Sequence, residues 1–315
     1  MTSTRPGILT LRGAYAALFA LTLIWGSNWI VMKEALANAS PVIFNVERTW
    51  VAILVLFGAL VAQGRPLRPG DWRAAAVTGF FQTTVNFAAT TMALAGGGVG
   101  RTSVLVFTMP FWTLLIARLV LNERVRGLQW IAIAAAFIGL VLVVEPWDWT
   151  GNLAPKFWAV LSGFGWAAGS VATKYFQRQR GLDTHNFIAW QMLLGVLPLT
   201  LLALGFDFPA TRWSVTQVAS LVYVGAVSTA FGFLIWIAVL RSLPAGTASL
   251  NMFAIPVIAL ASSALFYDER LSSMEWTGIA LIGLGLVIVS WVALRASRRG
   301  PGEGALAGAA PLEGG

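Results

Sequence analysis

Two charged side chains stand inside an apolar run of the sequence, where a charge is costly. Glu47 and Arg48 follow Pro41 by six and seven residues, which is about 10 Å along the axis of a helix. A guanidinium there can hold a substrate carboxylate through two parallel hydrogen bonds. It can equally be neutralised by Glu47 or by an acid on another helix, and the sequence leaves both interpretations open. Glu47 is the one acid well inside an apolar run and is therefore the candidate for proton coupling.

Polar and small residues recur at helical spacing in two other apolar runs. Residues three and four apart share one face of a helix, so each set forms a stripe. Two such stripes favour a shared cavity lining, although close packing by small residues is the alternative. The first stripe comprises Gly79, Gln82, Thr83, Asn86 and Thr90, and the second comprises Gly225, Ser228, Thr229, Gly232 and Trp236.

Aromatic and amide side chains of the other runs complete the predicted lining. Several Trp and Tyr rings together with amide groups suit a zwitterion that carries an apolar side chain. Ser170 and Trp190 are further lining candidates. The residues predicted to bind substrate are Trp25, Asn28, Arg48, Gln82, Asn86, Trp166, Gln191, Tyr223, Ser228, Thr229 and Asn251.

Two prolines are candidates for gating. Pro110 and Pro256 each lie about ten residues into an apolar run. Proline removes a hydrogen bond from a continuous helix and bends it. The pair is therefore predicted to form two hinges, with a static bend as the alternative.

The residue inventory argues against an enzyme, a cofactor and a metal site. The sequence holds no cysteine and a single histidine, His185. It lacks a His-Glu-x-x-His motif, a pair of aspartates inside the apolar runs and a serine–histidine arrangement at that depth. A channel is disfavoured because no charged or carbonyl-rich filter motif is present. Transport without a cofactor is the expected role.

The elements that carry these residues belong to a membrane protein. Of the 315 residues, 57% are hydrophobic and 11% are charged, and the mean hydropathy is +0.75. A soluble domain has about 25% charged residues, so the composition excludes a soluble enzyme and makes the lipid bilayer the expected surrounding. The net charge of +8 does not indicate a nucleic-acid partner, because the basic residues are scattered between the apolar runs.

Ten apolar runs are long enough to cross a bilayer as helices, since each crossing needs about 20 residues. The sequence thus predicts an all-α polytopic membrane protein with ten transmembrane helices, between a short tail at 1–12 and a disordered tail at 296–315. The runs lie at residues 13–32, 41–62, 73–95, 100–121, 127–145, 155–176, 185–205, 214–240, 247–267 and 274–294.

The basic residues orient these helices. With the N-terminus inside, fifteen of the 21 basic residues fall in cytoplasmic segments and five in outer ones, with Arg48 left inside a run. Lys and Arg accumulate in cytoplasmic loops. Both termini are therefore expected in the cytoplasm of a multi-pass inner-membrane protein.

An internal repeat divides the runs into two sets of five. Residues of matching type recur 146 positions apart: Pro110 and Pro256, Glu123 and Glu269, Trp130 and Trp276, Gly139 and Gly285. Because five is odd, the copy at 147–295 is predicted to enter the membrane opposite to the copy at 13–146. Inverted repeats of this kind are typical of alternating access. Glu123 and Glu269 stand at helix ends and are expected to cap or hold the turns.

The paired five-helix units resemble the drug/metabolite transporter superfamily, in its EamA-type branch. The resemblance rests on Trp25-Gly26 within the first helix and on a fourth helix that contains Pro110 and ends before Glu123. It extends over residues 13–295 and is strongest toward bacterial amino-acid exporters, including the aromatic-amino-acid exporter. The resemblance implies a central cavity formed by helices other than five and ten.

The implied function is export of aromatic and other neutral amino acids, by uniport or proton-coupled exchange. The alternative is multidrug or other small-metabolite efflux within the same superfamily. A monomer would be sufficient for transport, and a dimer is possible.

Overall fold

The computed structural model describes residues 9–123, 125, 127–147, 152–180, 182–242 and 254–298. These residues form helices and no strand, which confirms the all-α prediction for the described part of the chain. The helices are α1 (Leu11–Leu36), α2 (Pro41–Ala62), α3 (72–96), α4 (Val99–Val120), α5 (Leu128–Val144), α6 (Leu153–Arg180), α7 (Thr184–Gly205), α8 (215–242), α9 (described over Ala254–Tyr267) and α10 (Ser273–Arg298).

Side-chain caps define where several of these helices begin. The Ser40 hydroxyl accepts a hydrogen bond from the backbone N–H of Ile43, and Pro41 occupies the first turn of α2, where its missing N–H costs nothing. The Asp183 carboxylate accepts from the N–H groups of His185 and Asn186 at the start of α7. These caps fix the helix starts that place the site residues downstream.

Three of the helices are interrupted. A π-helical segment occupies Phe80–Val85 of α3, and another occupies Tyr223–Phe231 of α8. These segments lie in equivalent helices of the two repeats, and the polar stripes run through both. Helix α4 consists of Val99–Val106 and Met109–Val120, separated by a turn.

The break in α4 corrects the expectation for Pro110. This residue lies in the first turn of the second segment, where no hydrogen bond within the helix is lost. It therefore follows a break and does not bend a continuous helix. Pro256 is the third described residue of α9. Whether either proline acts as a hinge stays a prediction.

Six segments of the described residues are long and apolar enough to cross a membrane. They correspond to α1, α2, α4, α7, most of α8 and most of α10, while α5 and α9 are shorter apolar helices. The polytopic character is thereby supported, and the count of ten transmembrane helices stays a prediction.

The two ends of the helix bundle can be recognised from contacts between loops. At the end that we name the near face, the Leu9 backbone N–H donates to Ser242, and Arg65 pairs with Asp183. At the opposite face, Arg212 donates to the Ala37 carbonyl oxygen. Helix α1 therefore runs from the near face to the opposite face.

Glycines allow two helix pairs to pack with their backbones in contact. A Cβ atom on Gly139 of α5 would lie 2.5 Å from the carbonyl oxygen of Gly278 in α10. A Cβ atom on Gly79 of α3 would collide with the Gln191 carbonyl oxygen of α7. Such close approach is how helices associate in a membrane, where burial of apolar surface between helices contributes little.

Candidate functional site

A cavity of about 130 Å³ lies in the middle of the bundle. An engineered cavity of about 150 Å³ holds a benzene molecule, so the space suits a small organic ligand. Helices α5, α7 and α10 contribute no residue to the lining among the described residues. The lining consists of Trp25, Asn28, Trp29, Met32, Arg48, Asn86, Phe87, Thr90, Val106, Phe107, Met109, Trp166, Ser228, Thr229, Phe233 and Ile255.

The structure brings seven of the eleven predicted binding residues to this cavity. It places Gln82, Gln191 and Tyr223 elsewhere, and Asn251 lies outside the described residues. The seven that line the cavity are Trp25, Asn28, Arg48, Asn86, Trp166, Ser228 and Thr229.

The three displaced residues hold helices together. Gln82 is buried against α6, because a Cβ atom on Gly169 would lie 2.6 Å from the Gln82 Cβ. Gln191 is buried where α7 crosses α3. The Tyr223 hydroxyl lies 2.7 Å from the Ser27 hydroxyl and donates to the Ile24 carbonyl oxygen, which ties α8 to α1. All three lie between helices in this structure, and whether any of them contacts a substrate stays a prediction.

Two marginal candidates also lie away from the cavity. The Trp190 indole N–H donates to the Leu67 carbonyl oxygen at 2.8 Å, in a crevice of the near face that also contains Asp183 and Arg180. The Ser170 hydroxyl donates to the Trp166 carbonyl oxygen one turn earlier in α6. Neither side chain is among the described lining residues.

Arg48 is the one charged side chain in the described lining, and it is only 4% exposed. Its Nε donates to Asn45 Oδ1 at 2.9 Å. Its Nη1 lies 3.8 Å from the sulfur of Met32, and its Cζ lies 3.9 Å from the centre of the Phe87 ring. No ion pair of the described residues includes Arg48. Neutralisation by a described acid, one of the two interpretations left open by the sequence, is not observed.

Glu47 points away from the cavity. Its Oε1 accepts a hydrogen bond of 2.7 Å from Thr211, in the loop before α8 at the opposite face. Adjacent residues of a helix point about 100° apart, which explains why Glu47 and Arg48 face different neighbours. The expectation that Glu47 belongs to the transport pathway gains no support from this position.

A hydrogen-bonded cluster joins α3 to α6 beside the cavity. Asn86 Nδ2 donates to the backbone and side-chain oxygens of Ser162, at 3.0 and 2.9 Å. The hydroxyls of Thr90 and Ser162 lie 2.6 Å apart. Ser162 was missed at the sequence level, although a serine three residues before Gly165 marks a small-residue face on α6. The cluster fixes the Asn86 amide at the wall of the cavity.

One acceptor at the cavity wall is unused. Asn28 Oδ1 is buried and has no hydrogen-bond partner among the described residues. No Asp or Glu is present among the described lining residues, so the only formal charge at that wall is the guanidinium of Arg48. Among the described residues, no group of His, Cys, Asp or Glu side chains is placed to hold a metal ion.

The sequence matches the EamA-like transporter family twice, over residues 12–145 and 154–291. The chain belongs to this family. The two EamA matches confirm the resemblance to the EamA-type branch and show that the chain is a tandem repeat of one unit. Members of this family are transporters.

Curated relatives of this EamA protein include named transporters. The probable amino-acid metabolite efflux pump of Escherichia coli (strain K12) is 26% identical over 303 residues, which is 91% of this chain and 95% of the relative. The uncharacterized transporter YoaV of Bacillus subtilis (strain 168) is 25% identical over 279 residues, covering 85% and 94% of the two chains. A solved crystal structure shares the fold at a TM-score of 0.63 and 20% identity, over 89% of this chain and 98% of the other.

Two equivalent glutamates hold the ends of this EamA bundle. At the near face, Glu123 pairs with Lys174 at 2.8 Å and with Arg178 at 2.7 Å, which ties the end of α4 to α6. Partial burial alone would raise the pKa of Glu123. The hydrogen bonds and charges of Lys174 and Arg178 outweigh burial, so the pKa lies below its ordinary value.

At the opposite face the corresponding carboxylate caps a helix. Glu269 accepts hydrogen bonds from the backbone N–H groups of Gly100 and Arg101, at 2.9 and 3.2 Å, and from the Ser263 hydroxyl. A carboxylate at a helix N-terminus satisfies donors that have no partner within the helix. The two glutamates thus hold opposite faces of the cavity, in agreement with the role expected for them.

The π-helical segments are the main feature that the sequence did not indicate. Ser228 and Thr229 of the cavity wall belong to the segment in α8. The Trp25 indole N–H donates to the Ser228 carbonyl oxygen at 2.9 Å. Segments of this type occur frequently at functional sites, and here one brings α1, α8 and the cavity together.

Proposed function

We propose that this protein exports amino acids, aromatic and other neutral ones, across a bacterial inner membrane by alternating access. The observation that carries the proposal is the central cavity, which receives Trp25, Arg48 and Asn86 from the first repeat and Trp166 and Ser228 from the second. A site at the interface of two repeats is where such transporters bind their cargo. The name of the Escherichia coli relative agrees with this substrate class.

The two repeats supply the means of alternation. Helix α1 begins at the near face, whereas α6 begins at the opposite face, where Pro155 packs against Gly96. This agrees with the inverted arrangement expected from five helices in each unit. Exchange of conformation between two inverted units would expose the cavity first at one face and then at the other.

The walls of the cavity suit a neutral amino acid with an apolar side chain. The rings of Trp25 and Trp166 each pack against Phe233, with ring centroids 6.4 and 5.8 Å apart. Asn28 offers its unused oxygen to an ammonium group. Export of cationic drugs, the alternative within the superfamily, is less favoured because Arg48 makes the described wall positive.

Transport would run from the cytoplasm outward, with both termini and the near face in the cytoplasm. The excess of basic residues on that side supports this orientation. Uniport and proton exchange differ in their response to a pH gradient. A gradient that leaves the rate unchanged indicates uniport, and one that accelerates export indicates proton exchange.

The test is transport in liposomes that contain the purified protein. Efflux of labelled phenylalanine, threonine and methionine is followed with and without a pH gradient, and protein-free liposomes serve as the control. Saturable movement of at least one amino acid is expected. No saturable movement of any of the three would refute the proposal, and competition by a quaternary ammonium compound would support drug efflux instead.

A further inference from the structure

We propose that Arg48 binds the carboxylate of the substrate and that Asn45, which sequence reasoning missed, is the residue that positions its guanidinium. The inference rests on the proposed function for the identity of the cargo as an amino acid. It adds that the carboxylate is the group that the site requires. It also adds that Arg48 has only neutral partners within the protein, which leaves its charge free to bind the substrate carboxylate.

Asn45 has a single orientation in the structure. It is fully buried, and its Nδ2 donates to the Phe87 carbonyl oxygen at 3.1 Å and to the Thr91 hydroxyl at 2.6 Å. Both contacts are on α3. Because the two N–H groups of the amide face these acceptors, its Oδ1 must face Arg48.

Asn45 and Arg48 are three residues apart on α2 and therefore share a face. The bond from Nε to Oδ1 fixes one edge of the guanidinium. Phe87 packs on the plane of the same group while its carbonyl oxygen anchors the Asn45 amide. The guanidinium is thereby held from two sides by neutral groups of α2 and α3.

The terminal nitrogens of the guanidinium lack a strong acceptor. Nη1 has only the sulfur of Met32 at 3.8 Å, and no hydrogen bond of the described residues involves Nη2. A buried charge without a partner is costly. The edge formed by the two terminal nitrogens matches the two oxygens of a carboxylate, and Arg48 lines the cavity into which a substrate would enter.

The neutral contacts matter because an internal acid beside Arg48 would neutralise the charge that we assign to binding the substrate carboxylate. Asn45 Oδ1 accepts one hydrogen bond without supplying a charge. Aspartate has nearly the same shape, so Asn45→Asp would place a carboxylate oxygen beside Nε of Arg48. Its second oxygen would face the Phe87 carbonyl oxygen, so the variant also loses the hydrogen bond that Asn45 donates there. The variant would provide from within the protein the partner that we assign to the substrate.

The same geometry predicts an asymmetry between the two ends of an amino acid. The carboxylate has a fixed cation, whereas the ammonium group has the Asn28 oxygen and ring faces but no acid among the described lining residues. Removal of the carboxylate should therefore weaken binding more than removal of the amino group. Phenylalaninamide and 3-phenylpropionate are the matched probes for phenylalanine.

The experiment measures competition for transport and thermal stabilisation of the purified protein by the same three compounds. For the wild type we expect 3-phenylpropionate to compete within about tenfold of phenylalanine, and phenylalaninamide to be at least tenfold weaker than both, since one strong ion pair is worth about that factor. Equal competition by the amide and the acid would overturn the inference. Stabilisation does not require transport, so it tests the inference even if transport of amino acids fails.

Three variants distinguish a loss of Arg48 positioning by Asn45 from a general loss of folding. Asn45→Asp is expected to raise the KM for phenylalanine at least tenfold, with kcat changed less, and to lower the unfolding temperature because the carboxylate cannot donate to the Phe87 carbonyl oxygen. Thr91→Val removes one anchor of the Asn45 amide and should raise KM about threefold, which keeps the test open if the first variant does not fold. Thr49→Val is the matched control, because the Thr49 hydroxyl bonds only the Asn45 backbone oxygen. A wild-type KM in Asn45→Asp would contradict the role of Asn45.

Discussion

The two equivalent glutamates allow the closed state of each face to be tested separately. Glu123→Gln removes the charge that ties α4 to α6 at the near face, where the carboxylate pairs with Lys174 and Arg178. Glu269→Gln weakens the cap on α4 at the opposite face, where the carboxylate accepts from Gly100 and Arg101. If these contacts keep their own faces closed, the two variants should open opposite ends of the cavity.

The free energy that each contact contributes to the closed state can be estimated from the exposure of its side chains. The side chains of Lys174 and Arg178 are 48% and 54% exposed, so each pair with Glu123 belongs to the weak surface class of about 0.2–1 kcal/mol. Together they contribute about 1 kcal/mol, which corresponds to about a fivefold change in the population of the open state. The charge of Glu269 on a helix N-terminus contributes a similar amount, about 1 kcal/mol.

The assay uses a property of the natural sequence, which contains no cysteine. Ser228→Cys places one thiol at the cavity wall, and a membrane-impermeant maleimide is applied to vesicles of either orientation. Glu123→Gln is expected to raise the labelling rate about fivefold from the near face only. Glu269→Gln should raise it from the opposite face only. The reasoning is refuted if both variants change labelling from the same face, or if neither changes it.

Three further outcomes are expected. Because the pKa of Glu123 is lowered, its pairs with Lys174 and Arg178 stabilise the protein above the ordinary carboxyl pKa, and this contribution is lost as pH falls through the lowered pKa. Acid should therefore lower the unfolding temperature of the wild type more than that of Glu123→Gln. Gly139→Ala places a Cβ atom 2.5 Å from a backbone oxygen of α10 and should lower the unfolding temperature by several degrees. Gly58→Ala is the control, because its Cβ atom would have no other atom within 4 Å, and it should leave the unfolding temperature unchanged or higher. Trp25→Phe keeps an aromatic wall but removes the 2.9 Å hydrogen bond to the Ser228 carbonyl oxygen, which should reduce stability by about 1 kcal/mol in chemical unfolding and leave phenylalanine within a fewfold of its wild-type KM.

The sequence could predict which residue types meet at the cavity, but not which members of a polar stripe face open space. Gln82 and Asn86 lie in one stripe of α3, and both face α6 in the structure. Gly169 brings the α6 backbone against Gln82, whereas Ser162 bonds Asn86 further along and leaves the cavity beside it. Whether a stripe residue faces the cavity depends on the size of the residue opposite it on the partner helix. The spacing of residues within one stripe carries no information about that partner.

The role of Asn45 was within reach of the sequence. An amide three residues before an arginine on a helix is placed to accept from it. Glu47, the neighbour of Arg48 in sequence, points about 100° away from it on the helix and is not placed to accept from it. The bonds from Asn45 to Phe87 and Thr91 could not be foreseen, since they depend on the relative rotation of α2 and α3. The π-helical segments add to this uncertainty because they change the helical phase within a run.

The repeats are alike in sequence, yet their contacts at the two faces differ. Lys33 and Lys174 correspond in the two repeats, since each stands eight residues after a tryptophan in the first helix of its repeat. Glu123 pairs directly with Lys174. Its equivalent Glu269 bonds the backbone of α4, and Lys33 donates to the carbonyl oxygens of Leu94 and Gly97. Equivalent residues thus have unlike partners in the two repeats of this structure. If the protein alternates as we propose, exchange of the two arrangements would bring Glu269 to Lys33.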